Sequence, residues 1–454
     1  MIRRLLLWPW FALGLFGAMP AAAQPGTPVL TGTNALGDYT RDRPGLRRRF
    51  APSALPAPYA SALAWAPSET VARPANVLPR TMPGFSIRVF ADNIDGPRKI
   101  AVAPNGDIFV VRSYSNAITV FRGIGSDGRP LLTRTFLAGG LNQPFGLRFY
   151  PAGSAHPTHL YIANTDSVVR IPYRNGDTEA RRAPEVVVDN TKIPGGAGQL
   201  GGGGHWTRDL IFSPDNRKLF VSVGSFSDHG ENGIDETNRA CILEFAVDRA
   251  GLVPERGRVF ASGIRNPVGL AIHPRTGQLW TTCNERDNLG NDLVPDYVTQ
   301  VREQGFYGWP YFYMGTDGGR QDPRWGTLPT GIEEKREQVL TPDVPIQAHS
   351  AVLGLTPYTG RMFPGYYRYG FFAAAHGSWN RNLRTGYKIL FIPTHSKTGQ
   401  ALGEYMDFVT GFVLNDRQVF GRPVDVAVAR DGSLLITDDA GGVIWRVTYG
   451  PYAR

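Results

Sequence analysis

From Pro83 onward, apolar and polar positions follow one recurring unit: a short apolar run, a turn of Gly, Pro, Asp or Asn, and a second apolar run. The copies are KIAVAPNGDIFVV (99–111), 145–164 with HLYIAN as its second run, DLIFSPDNRKLFVSVG (209–224), VGLAIHPRTGQLWTTCN (268–284), the looser pair 351–355 and YGFFAAAH (369–376), and VDVAVARDGSLLITD (424–438). Short apolar runs bounded by turn residues read as paired strands. The equivalent positions Phe109, Tyr161, Phe220, Trp280, Phe372 and Leu435 are 52, 59, 60, 92 and 63 residues apart. Runs at 241–247 and 258–262 supply further strands between copies. Such spacing predicts an all-β chain, a six-bladed β-propeller of four-stranded antiparallel blades over residues 83–454. A β-sandwich would not repeat a paired-strand unit six times.

If the first strand of each unit is innermost, its start and the end of the second strand meet at one face. That face is the mouth of a central channel. The starts carry Arg98, Asn142-Gln143, His205 with Arg208, Arg265-Asn266, His349 and Arg422. The ends carry Ser113, Asn164, Ser225, 284–287 (NERD), 376–381 (HGSWNR) and Asp438-Asp439. Polar residues in register six times predict a funnel of donors suited to a compact polyanion, because arginine forks bind carboxylates in pairs. Arginines paired with acids between blades are the alternative.

Gly (54) and Pro (36) together make up about a fifth of the chain, as expected for a turn-rich protein. Residues 1–23 read as a secretory signal: Arg3-Arg4, an apolar stretch from Leu5 to Met19, and Ala21-Ala22-Ala23 before the cleavage point. The expected location is periplasmic or secreted, with no membrane span after cleavage. Residues 24–82 read as a Pro/Ala-rich arm. The net charge of +9 is scattered, with Arg47-Arg48-Arg49 as the one basic run, so nucleic acid is not an expected partner. Cys241 and Cys283 exclude a disulfide framework and leave room for one bridge.

Of eight histidines, His205, His349 and His376 fall on the predicted mouth. His205 follows four glycines and precedes Trp206; as a neutral imidazole it could take a proton from a substrate hydroxyl. A long insertion, Asn284 to about Asp343, carries acids among glycines, a pattern that suits calcium. The GxGxxG match at 196–201 has no βαβ context and carries no dinucleotide reading.

Several segments together resemble the soluble quinoprotein glucose/sorbosone dehydrogenase family, in particular its L-sorbosone dehydrogenase-like branch. They are PRKIAVAPNGDIFV (97–110), NQPFGL (142–147), GHWTRDLIFSPD (204–215), GIRNPVGLAIHP (263–274), NERDNLGNDLVPDY (284–297), FYGWP (306–310), HGSWNR (376–381) and GRPVDVAVARDGSLLITDD (421–439). The resemblance implies a six-bladed propeller that binds pyrroloquinoline quinone (PQQ) and Ca2+. The implied activity is PQQ-dependent oxidation of a sugar or sugar-derived aldehyde or alcohol, with electrons passed to a soluble carrier or quinone. It makes His205 the base and Arg265 its catalytic partner. Gln143, Arg265, Asn266, Arg381 and Arg422 become cofactor-binding, with Arg98 added from register. Asp317 becomes a metal ligand, with Glu285 and backbone carbonyls near Asn284 and Tyr313 as its companions. Three departures concern specificity: Gly204 replaces an acid of the glucose enzymes, Val424 replaces a second arginine, and no tryptophan precedes His349. A calcium-dependent lactonase or esterase and a non-catalytic binding propeller are the competing readings.

Overall fold

A computed structural model describes residues 28–196, 204–231 and 235–450; the proposed signal at 1–23 and Gly201–Gly203 lie outside them. Six antiparallel blades of four strands follow one another along the chain, the fifth of them widened to a six-stranded sheet by Val29–Thr31 and Arg47–Arg49. They form blade 1 (97–138), blade 2 (146–188), blade 3 (210–262), blade 4 (266–346), blade 5 (352–409) and blade 6 (423–449 with 85–91). Blade 6 takes its fourth strand, Phe85–Ala91, from the N-terminal side, where it pairs with Val443–Tyr449. The start of the propeller is therefore hydrogen-bonded to its end, which closes the ring and leaves no open gap between first and last blades. Among the described residues no helix is long and apolar enough to cross a membrane.

The repeat positions found by spacing become the packing between blades. Phe109 of blade 1 meets Phe149 of blade 2 edge-on at 5.3 Å, and Tyr161 of blade 2 meets Phe212 of blade 3 at 5.0 Å. Trp280 of blade 4 lies 5.0 Å from Phe371 of blade 5. All six equivalent residues are buried. In these three units alternation along the strand puts a large ring against the next blade, where aromatic pairs add to the area term.

Polar groups hold the inner strands together. Lys99 Nζ of blade 1 lies 2.8 Å from Asp209 Oδ2 of blade 3 and 3.5 Å from Asp425 Oδ2 of blade 6. Asp209 also accepts the backbone N–H of Leu270 in blade 4, and Asp425 accepts that of Ile100 in blade 1. Glycines let these strands approach. A Cβ on Gly146 would stand 2.9 Å from the Arg208 carbonyl oxygen, and one on Gly354 would fall on the Asp425 side chain.

One expectation is revised and the basic run finds its place. The segment from Asn284 to about Asp343 is not all loop: Asp296–Gln300 is the third strand of blade 4, and Phe312–Met314 with Gly319–Gln321 forms a hairpin. The basic run at 47–49 is a strand added to blade 5, antiparallel to Tyr405–Val409. Its Arg48 is buried between Asp42 and Asp407 at 2.7 Å each, so the run is structural. Cys241 and Cys283 are separate buried thiols.

Gly354 does not need a left-handed backbone, so space alone forbids a side chain there. Gly354→Ala should lower stability by about 1–3 kcal/mol, the usual cost of overpacking. Urea unfolding checks this; an unchanged midpoint would contradict the close approach to Asp425.

Candidate active site

The inner strands of blades 1, 4 and 6 start with Arg98, Asn266 and, one residue ahead of Pro423, Arg422; His205 stands five residues before the inner strand of blade 3. Together they line a cavity of about 460 Å³ at the mouth of the ring, with Arg265, Glu285, His349 and His376. Small-ligand sites commonly span about 300–1,000 Å³. A larger groove of about 840 Å³ lies between the outer strands of blades 1 and 6, around Arg88, Arg122 and Arg446. Convergent polar groups from every blade except the second make the mouth the better candidate.

His205 is fixed by its own loop. Its Nδ1 lies 2.8 Å from the Ser225 carbonyl oxygen, which can only accept, so Nδ1 carries the proton. Nε2 is then an unprotonated lone pair, with no hydrogen-bond partner among the described residues. Burial, followed by the charge of Arg265, pushes the imidazole pKa down to about 3. Gly224 makes this placement possible: a Cβ there would stand 2.5 Å from both His205 Cβ and Asn266 Oδ1. Asn266 Oδ1 is buried without a partner.

The three cleft arginines are not equivalent. Arg98 pairs with Asp439, which also accepts from His376 Nε2 at 2.8 Å. Arg265 gives Nη2 to Asp228 Oδ1 at 2.8 Å, Nε to the Asp228 carbonyl at 3.0 Å and Nη1 to the Glu285 carbonyl at 2.8 Å. Arg422 has no carboxylate partner among the described residues. It donates to the carbonyls of His376 (3.2 Å) and Gly377 (3.3 Å), and its guanidinium lies 5.7 Å from the Tyr387 ring centre. Pairing between blades therefore accounts for Arg98 and Arg265; Arg422 makes no ion pair among the described residues and acts on Asp439 only at longer range.

Four predicted site residues lie elsewhere. Arg381 pairs with Asp292 at 2.8 Å and donates to the Gly37 carbonyl, so it anchors the N-terminal arm. Gln143 is buried outside the cleft lining, its Nε2 3.4 Å from Asn142 Oδ1. Tyr313 is buried against Arg286 and Arg320, and Asp317 is exposed at the tip of the 312–321 hairpin. The set Asn284, Glu285, Tyr313 and Asp317 is thus not brought together around one point. Glu285 and Asn284 do line the cleft, beside Asp287 and Asp296. Several of their polar atoms are engaged: Glu285 Oε2 with Arg286 Nε at 3.0 Å, Asn284 Nδ2 with the Val352 carbonyl, and both Asp296 oxygens with backbone N–H groups. Among the described residues no cluster of three or more His, Cys, Asp or Glu is set to hold a metal ion.

The donor that suits a planar polyanion such as PQQ is the Arg422 guanidinium; the Nε2 lone pair of His205 in the same cavity is an acceptor and suits a hydroxyl proton, and Trp206 stands in the wall. Asp228 and Tyr114 were not singled out by the sequence. Asp228 sits in the loop just past the second strand of blade 3, the same register that flagged Ser225.

The model of the TrAA12-like family matches residues 79–303 and 333–450. The chain belongs to the TrAA12-like family. It is 30% identical over 375 residues to an uncharacterized protein of Borreliella burgdorferi, covering 81% of this chain and 89% of that one. It is 26% identical over 295 residues to the pyrroloquinoline quinone-dependent pyranose dehydrogenase of Coprinopsis cinerea, covering 53% of this chain and 39% of that protein. Among solved structures, the holo PQQ domain of pyranose dehydrogenase from Coprinopsis cinerea has a TM-score of 0.65 at 19% identity, covering 83% of this chain and 98% of that one. The calcium structure of the Trichoderma reesei family AA12 enzyme has 0.67 at 18%, covering 82% and 97%. These two likenesses establish the shared propeller fold.

His205 binds no proton in the folded protein between its folded pKa of about 3 and the ordinary histidine value of 6.5. The unfolded chain binds one there, so stability falls as the pH drops through that window, by about 1.4 kcal/mol per unit. His376, pushed down to about 4 by burial and then by Arg422, acts in the same direction. In His205→Gln, about 2 kcal/mol of the stability the wild type loses between pH 6.5 and 5 should disappear. Equal losses in urea unfolding would contradict the buried neutral imidazole.

Proposed function

We propose that this chain is a PQQ-dependent oxidoreductase acting on a sugar or a sugar-derived aldehyde or alcohol of aldose or sorbosone type, and that it works outside the cytoplasm. The reading rests on one arrangement: the unprotonated Nε2 of His205 shares a cavity with Arg422, a cation that forms no ion pair among the described residues. The printed activity of the Coprinopsis cinerea relative supports the same chemistry. PQQ, when bound, supplies a quinone that accepts a hydride.

The chain's own residues do the rest. Ser225 holds the Nδ1–H of His205, which fixes the tautomer and aims Nε2 to take the hydroxyl proton of the substrate. Arg265, already held by Asp228, keeps that imidazole neutral. Arg422 offers a fork to a cofactor carboxylate, and Asn266 offers an amide. Trp206 forms part of the wall and carries Arg98 at 5.1 Å from its ring centre. A metal-dependent hydrolase would need several side-chain ligands around one cation, and among the described residues no three His, Cys, Asp or Glu are gathered so.

His205→Gln should reduce sugar-dependent dye reduction by about 10²–10⁴-fold, the usual worth of a positioned base, while PQQ binding persists. Turnover that survives the substitution would remove His205 from the chemistry.

A further inference from the structure

The arm ahead of the family-matched region touches the candidate active site. Trp379, which lines the cleft, meets Trp65 of the arm edge-on, with ring centres 4.8 Å apart. Trp65 is 77% exposed, the most exposed large apolar side chain among the described residues. An exposed indole on a loose tail would mean little. This one is held on both sides. The Ala64 carbonyl accepts from Asn380 Nδ2 at 2.7 Å, and the Ala66 N–H donates to the Trp379 carbonyl at 2.7 Å. Buried Arg384 donates to the Ala66 carbonyl at 2.9 Å. Upstream, the Tyr59 N–H donates to the Leu289 carbonyl at 2.8 Å, and Ser61 Oγ accepts from Asn291 N–H at 2.8 Å. The arm is bolted to the mouth loops of blades 4 and 5, and Trp65 is presented at the rim with its ring in water.

We propose that Trp65 is a carbohydrate subsite, so that the substrate is an oligosaccharide whose terminal unit enters the cleft while the next pyranose ring packs on the Trp65 indole. This rests on the sugar-oxidising reading of the same cavity. A pyranose has an apolar C–H face and a rim of hydroxyls. A flat indole covers the face and leaves the rim to water, the division of labour that aromatic side chains perform wherever one side of a ligand stays wet. The cleft itself, at about 460 Å³, must hold both the cofactor and the reacting unit, so further units have to leave over the rim. Trp379 marks a continuous path from the cleft to Trp65. The arm lies outside the residues that the family model matches, 79–303 and 333–450, so this subsite belongs to the present chain's own N-terminal segment.

The test uses the purified full chain with glucose, cellotriose and maltotriose as probes. Binding is measured by calorimetry without cofactor, then turnover with PQQ and dye. The wild type should bind at least one trisaccharide about tenfold more tightly than glucose, the scale of one aromatic contact. Trp65→Ala should remove that preference and lower kcat/KM for the trisaccharide about tenfold more than for glucose, and Trp65→Phe should restore most of it. Equal trisaccharide affinity in wild type and Trp65→Ala, or no trisaccharide preference in the wild type, would overturn the proposal. So would an effect of Trp65→Ala on reoxidation by a protein acceptor alone, which would make the indole a docking residue. If PQQ binds and glucose reduces the dye but no trisaccharide preference exists, only the subsite fails. If PQQ and glucose both fail to bind, the sugar-oxidising reading fails instead.

Discussion

Closure of the ring is the constraint on which the rest depends. Six twisted sheets can share one axis only if their inner strands nearly touch, and here they do so through glycines and one buried ionic group. Lys99 stands between Asp209 and Asp425, and through their second bonds these residues reach blades 1, 3, 4 and 6. Burial pushes both carboxyls up. For Asp209, Lys99 and Arg148 outweigh it and hold the group below its usual range; for Asp425, burial prevails. A buried cation between two acids is costly to break, because each removal leaves an uncompensated charge. The same closure fixes the mouth, since Arg98 precedes Lys99 and Asp209 lies four residues beyond His205.

Charge at the mouth is organised by subtraction. Asp439 takes up Arg98 and His376, and Asp228 with Asp287 takes up Arg265. What remains available to a ligand is Arg422 and the lone pair of His205. A net positive sequence thus says little about the site; the decisive fact is which cation lacks a carboxylate. The neutrality of His205 has the same origin, because burial and a fixed neighbouring guanidinium both oppose its protonation.

Much of this was legible in the sequence, for physical reasons. Strand pairs with one large apolar residue per unit, such as Phe109, Trp280 and Leu435, set the sixfold architecture. Register then carried Arg98, His205, Asn266 and Arg422 to one cavity, because an antiparallel pair returns to the face it left. Register failed where loops intervene. Arg381 lies beyond the end of its strand, free to turn toward Asp292 and the arm. Tyr313 and Asp317 sit in an inserted hairpin whose path no repeat constrains. Register placed Asp439 and Asp287 at the mouth, but which arginine each neutralises, and the part played by Asp228, depends on contacts between blades that local spacing does not fix. Trp65 could not be placed for the same reason: its position is set by contacts with Trp379 and Asn380, more than 300 residues away.

The central claim is that the mouth is built around one unpaired arginine for a planar polyanion. Equilibrium titration of the purified chain with PQQ tests it most directly. The account predicts one PQQ bound per chain, and a loss of affinity of about thirtyfold or more in Arg422→Gln, the cost of leaving a buried charge without its partner. Absence of PQQ binding to the folded wild type, or equal affinity in Arg422→Gln, would contradict it.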